Sequence, residues 1–127
     1  MSEHGTFYWN ELQSTDADAA KAFYEKTMGW TFDAMPMEDG GTYWVAMNGE
    51  KPAGGIMAMP DTVPDGVPTH WMSYIAVDDI DARVKTAEEN GATVLRPPFD
   101  VPGVGRIAIL QDPTGGAVGW MTPAPQS

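Results

Sequence analysis

The chain has 127 residues and a mass of 13.7 kDa, a length that predicts one domain with a real core. Eighteen acidic against seven basic residues leave a net charge of −11, which repels phosphate backbones and anionic lipid, so neither nucleic acid nor a membrane is an expected partner. No apolar run approaches the roughly 18–20 residues that span a bilayer, nothing in the first ten residues suggests export, and the absence of cysteine excludes disulfides, thiolate metal sites and a cysteine nucleophile. A cytoplasmic location is the expectation.

In chain order, residues 6–12 (TFYWNEL) are aromatic-rich and read as a strand. Ser14, Thr15 and Asp16 then offer cap oxygens to the unpaired amides of a first helical turn. A helix is predicted from about Asp16 to Met28, with Ala20, Phe23 and Thr27 on its inner face and Lys21–Glu25 as a solvent-side pair. Gly29 stands where a left-handed residue ends a helix. Strand-like runs follow at about 31–37, 42–48 and 54–59, separated by the turn signals Asp39-Gly40-Gly41 and Asn48-Gly49.

Residues 60–69 carry Pro60, Pro64 and Pro68 and read as a semi-extended connector. Strand 70–77 (HWMSYIAV) then leads to Asp78-Asp79, an acidic start suited to the positive end of a helix. Ile80, Val84 and Ala87 share one face of that helix, and Gly91 ends it. Strands are predicted at 93–96, 104–110 and 116–121, with Asp112-Pro113-Thr114-Gly115 as a turn between the last two.

The two halves repeat. A shift of 62 residues places Trp9 on Trp71, Asp16 on Asp78, Ala20 on Ala82, Gly29 on Gly91, Ala46 on Ala108 and Met59 on Met121. The prediction is an α+β single domain of two βαβββ modules, 5–60 and 70–122, joined by the linker 60–69. The modules can pair within one chain or exchange between two in a homodimer.

Several local motifs carry a family likeness: Ala22-Phe23-Tyr24-Glu25-Lys26 through Met28-Gly29-Trp30, Tyr74-Ile75-Ala76-Val77-Asp78-Asp79-Ile80-Asp81, Asn90-Gly91-Ala92 and Asp112-Pro113-Thr114-Gly115. In this order they resemble the vicinal oxygen chelate superfamily, which includes glyoxalases, bleomycin-resistance proteins and extradiol dioxygenases. The resemblance implies that each module curls into a half-barrel and that the pair encloses a cavity. It also implies a divalent metal held by His, Glu or Gln from the first and last strand of each module. The motif counts place those positions at Trp9, Met57, Gly119 and either Met72 or Trp71, and none is a competent ligand.

The expectation is therefore no bound metal or cofactor, and metal-independent binding of a small aromatic or cationic molecule. Trp9, Trp44, Met57, Met72, Tyr74 and Arg106 are the candidate ligand-binding residues, since methionine adapts its shape and tryptophan stacks on planar or cationic groups. Glu11 and His70, each two residues from a ligand position, are the candidate acid–base groups or weak metal ligands. They support the alternative, a lyase, isomerase or dioxygenase-type enzyme acting on a small carbonyl substrate.

Overall fold

A computed structural model describes residues 4–37, 40–60, 63, 66–101 and 104–124. Residues 61, 62, 64 and 65 of the expected connector, Asp39 of the first turn signal and Gly103 lie outside this description. Among the described residues the fold is α+β with eight strands and two helices, and it divides into two compact units. The N-terminal unit comprises Asn10–Met72; the C-terminal unit comprises Ser73–Ser127 with Met1–Trp9.

The N-terminal unit holds most of β1 (Phe7–Ser14), then α1 (Ala17–Met28), β2 (Thr31–Pro36), β3 (Thr42–Asn48) and β4 (Lys51–Ala58). Its strands run in the order β2-β3-β4-β1, with β1 parallel to β4 and the other pairs antiparallel. Asp16 caps α1 by accepting a hydrogen bond from the Ala19 amide at 3.0 Å. Gly29 ends the helix at φ 72°, and its amide returns to the Glu25 carbonyl at 3.1 Å.

No α1 side chain is fully buried, and of the expected inner face of Ala20, Phe23 and Thr27 only Ala20 turns inward, since Phe23 is 57% exposed and Thr27 is exposed as well. The half-buried positions are Ala17, Ala20, Lys21 and Tyr24. Lys21 turns inward instead of pairing with Glu25: its ammonium stands 3.1 Å from the centre of the Trp44 ring and 3.7 Å from Asp18. Its aliphatic stem can lie along apolar surface while the charge meets an aromatic face.

The C-terminal unit holds α2 (Ile80–Glu89), β6 (Thr93–Val101), β7 (Gly105–Gln111), β8 (Ala117–Pro123) and most of β5 (His70–Ala76). The order is β5-β8-β7-β6, with β5 parallel to β8. Ile80 and Val84 of α2 pack with Val77, Ala108 and Leu110, and with the partly buried Ile75, Val94 and Trp120, as the spacing of α2 predicts. Asp79 caps α2 through the Ala82 amide at 3.2 Å. Beside it, Asp78 is held by Arg83 through two hydrogen bonds of 2.9 and 3.0 Å. Asp112 closes the last turn by accepting from the Thr114 and Gly116 amides at 2.8 and 3.0 Å.

Strand register refines the repeat. Across the N-terminal unit one row of partners reads Asp33, Val45, Gly55, Glu11. The matching row of the C-terminal unit reads Arg96, Ile109, Gly119, Tyr74. Gly29 and Gly91 keep the offset of 62, but the helix caps Asp16 and Asp79 are 63 positions apart. Extra residues in β6, where the register slips between Val94 and Arg96 and again before Phe99, carry the later strands to 64. β6 also runs on to Val101 through Pro97 and Pro98, well past the expected stop at 96. Proline is tolerated there because β6 is an outermost strand and its missing amides leave no neighbour unpaired.

Candidate functional site

Partner residues on adjacent strands share a face, so register alone assigns each side chain to the helix side of its sheet or the side away from it. In the N-terminal unit the helix side carries Leu12, Ile56 and Trp44, the last under Lys21 of α1. The other side carries Glu11, Gln13, Gly55, Met57, Tyr43 and Val45. Here Glu11 and Gln13 are both buried, at 7% and 6% exposure, and the Gln13 Nε2 donates to Glu11 Oε2 at 3.0 Å. Sequestering a carboxylate is tolerable because the amide meets it with a charge-assisted hydrogen bond. The Tyr43 ring lies directly against the α-carbon of Gly55, where any side chain would collide with it.

In the C-terminal unit the side away from α2 carries Tyr74, Ala76, Gly119, Met121, Ile107, Ile109, Phe99 and Arg96. Tyr74 packs on Gly119 as Tyr43 packs on Gly55. This face is closed at β5 and β8, where Tyr74, Ala76 and Met121 are buried. It opens toward β6 and β7, where Arg96, Phe99, Ile107 and Ile109 are half-buried.

These placements sort the expected residues. Glu11 and Met57 share a face of the N-terminal unit, and Trp44 lies on the opposite face. Met72 is buried and Trp71 is 42% exposed, with its indole nitrogen donating to the Tyr24 hydroxyl at 3.3 Å. Trp9 and Met72 each precede their helix cap by seven residues, which matches Trp9 with Met72 rather than Trp71. The rows likewise match Gly119 with Gly55, so Met57 is the counterpart of Met121.

His70 opens β5, and its Nδ1–H donates to the Pro68 carbonyl at 2.9 Å. Arg106 faces α2, with its guanidinium on both Asp81 oxygens at 2.9 and 3.0 Å and on Asp100 at 3.2 Å. Hydrogen bonding to these cations holds the carboxyls of Asp78 and Asp81 below the usual range and raises Arg83 and Arg106. Those ion pairs join α2 to the residue before its cap and to the strands beneath it.

Sequence reasoning passed over Gln13, Tyr43, Arg96 and Phe99. Period-two alternation from Glu11 points to Gln13. The other three depend on strand register, which no local pattern in the sequence encodes.

The family expectation of a metal can be tested on donor chemistry. Among the described residues no group of three or more His, Asp or Glu side chains converges to hold an ion. The family positions supply indole, thioether or bare backbone at Trp9, Met72, Gly55 and Gly119, and the nearby carboxylate of Glu11 is engaged by an amide. These residues do not fit a divalent metal.

The family model described as Glyoxalase/Bleomycin resistance protein/Dioxygenase superfamily matches residues 7–118. The chain belongs to this superfamily. A Mycobacterium bovis protein named "Putative glyoxylase CFP32" is 44% identical over 126 residues, covering 99% of this chain and 47% of its own length. The "Anthracycline biosynthesis protein DnrV" of Streptomyces peucetius is 32% identical over 120 residues, covering 86% of this chain and 44% of its own. The chain thus spans about half the length of these relatives. Among solved structures, a hypothetical protein of Bacillus halodurans superposes with a TM-score of 0.72 at 16% identity, covering 98% of this chain and 99% of that one. Methylmalonyl-CoA epimerase from Mycobacterium tuberculosis gives 0.68 at 19%, covering 95% and 89%. At these identities the likeness is one of fold. Among the described residues no helix is long and apolar enough to cross a membrane.

Proposed function

We propose that this superfamily member binds a small planar molecule without a metal, on the sheet faces turned away from the helices. One observation carries the reading: at the place where family enzymes gather metal donors, the N-terminal unit has a single buried carboxylate, Glu11, satisfied by the Gln13 amide. A carboxylate–amide pair beside methionine and tyrosine suits a hydrogen-bonding, largely apolar ligand. Anthracycline biosynthesis in the names of two relatives is consistent with a fused-ring ligand. Two chains can pair, since Phe23 and Met28 of α1 and Met35 of β2 are more than half exposed and the relatives provide about twice this length. The cysteine-free composition suits the cytoplasm.

The burial of Glu11 also favours a second reading, in which the carboxylate takes a proton from carbon next to a carbonyl. Metal analysis of the purified protein, followed by fluorescence titration with a water-soluble anthraquinone, tests both. The binding reading expects substoichiometric metal, no thermal shift with zinc, nickel or manganese, and saturable quenching of tryptophan weakened by Glu11→Ala. Stoichiometric metal that is lost in Glu11→Ala or His70→Ala overturns it and puts the enzyme first.

A further inference from the structure

The three arginines of this acidic chain are not alike. Arg83 holds Asp78 through two bonds, and Arg106 holds Asp81 through two and Asp100 through a third. Arg96 has no carboxylate partner among the described residues, although acidic side chains outnumber basic ones by more than two to one. Its guanidinium carbon instead lies 3.6 Å over the centre of the Phe99 ring. Stacking takes up one face of the guanidinium and fixes its plane, which leaves the donors along its edge pre-oriented.

The backbone supports that placement. Arg96 stands between two register slips of β6 and is followed by Pro97 and Pro98. Such irregularities re-aim side chains, and here Arg96 is paired with Ile109 on the side away from α2, in the row that continues to Gly119 and Tyr74. Ile107, Ile109 and Phe99 give the surroundings an apolar character and remain half-accessible. The equivalent position in the N-terminal unit is Asp33, so the cation is peculiar to one half of the repeat.

We propose that Arg96 is the anchor for the anionic group, a carboxylate or sulfonate, of an aromatic ligand whose ring system lies beside the Arg96–Phe99 stack, over Ile107 and Ile109. The inference rests on the planar-ligand reading and narrows it to anions, against the cationic alternative that the tryptophans suggested. A stacked guanidinium receives an oxyanion through two parallel hydrogen bonds, a geometry that lysine cannot reproduce.

The test titrates the intact protein with two probes, anthraquinone-2-sulfonate and the uncharged 2-(hydroxymethyl)anthraquinone, following tryptophan fluorescence and the Arg side-chain Nε–H resonances. Wild type is expected to favour the sulfonate about tenfold, the size of one charge-assisted hydrogen-bond pair. Arg96→Gln should bring the two probes to similar affinity. Arg96→Lys should recover only part of the preference. The Arg96 Nε–H resonance should move with the sulfonate alone. An equal preference for the sulfonate in wild type and Arg96→Gln overturns the anchor and leaves the binding reading standing. If neither probe binds wild type, the planar-ligand reading falls and the anchor with it.

Discussion

Replacing Gly119 with alanine isolates the close approach of Tyr74. Gly119 has ordinary extended backbone, so the substitution costs nothing in backbone strain. The added methyl nevertheless falls within the Tyr74 ring, whose own exposure is 5%. If the ring stays, the neighbours must shift, at about 1–3 kcal/mol for an overpacked core position. If it swings out, its burial is forfeited, again roughly 2 kcal/mol. Both routes lead to a loss near 2 kcal/mol, or about 8 °C in Tm for a domain of this size. Urea unfolding of Gly119→Ala, Tyr74→Leu and the double variant measures the coupling. With leucine at 74 no ring is in the way, and Gly119→Ala should cost less than about 0.5 kcal/mol, a coupling of about 1.5 kcal/mol. An equal loss in both backgrounds refutes the steric account.

Removing the carboxylate in Glu11→Ala strands the buried Gln13 amide and should cost about 1–3 kcal/mol, whereas Glu11→Gln keeps an acceptor and should cost less by urea unfolding. Leu110→Ala empties a fully buried position in the α2 core and should cost about 2–5 kcal/mol, with Tm falling accordingly. Acid should destabilise the C-terminal unit through Asp78, Asp81 and Asp112. Arg83, Arg106 and the Thr114 hydroxyl respectively hold these carboxyls below the ordinary aspartate value of about 3.9. Because the folded values are the lower ones, this stability is present above about pH 4 and lost as the pH falls through the folded values. A Tm profile in Asp78→Asn plus Asp81→Asn should therefore be flatter below pH 4 than that of wild type.

Much of the architecture was legible because it is written locally. Aspartates before alanine-rich or amphipathic runs, glycines after them, and Asp112-Pro113-Thr114-Gly115 set helix and turn limits within a residue or two. The inner face of α1 was misread because periodicity rewards large apolar residues such as Phe23, whereas the small side chain of Ala17 and the stem of Lys21 fit the space. Trp44 was grouped with the site because an aromatic residue carries no sign of which face it takes. The candidate site proved hardest to read. A single offset of 62 fits Gly29 and Gly91 after the two helices, yet the slips in β6 move every later row by up to two positions. Those slips alone separate Gly55 from Met57 as the partner of Gly119 and bring Arg96, which no motif marks, into line with Tyr74.

The two prolines of β6 have a consequence beyond aiming Arg96. An outermost strand normally offers a ladder of free amides on which another chain can add itself, and a protein with so many strands is vulnerable to that kind of growth. Pro97 and Pro98 interrupt that ladder on β6, and β2, the outer strand of the N-terminal unit, ends on Pro36. Strand-by-strand fibril growth is thereby discouraged at β6 and at the end of β2.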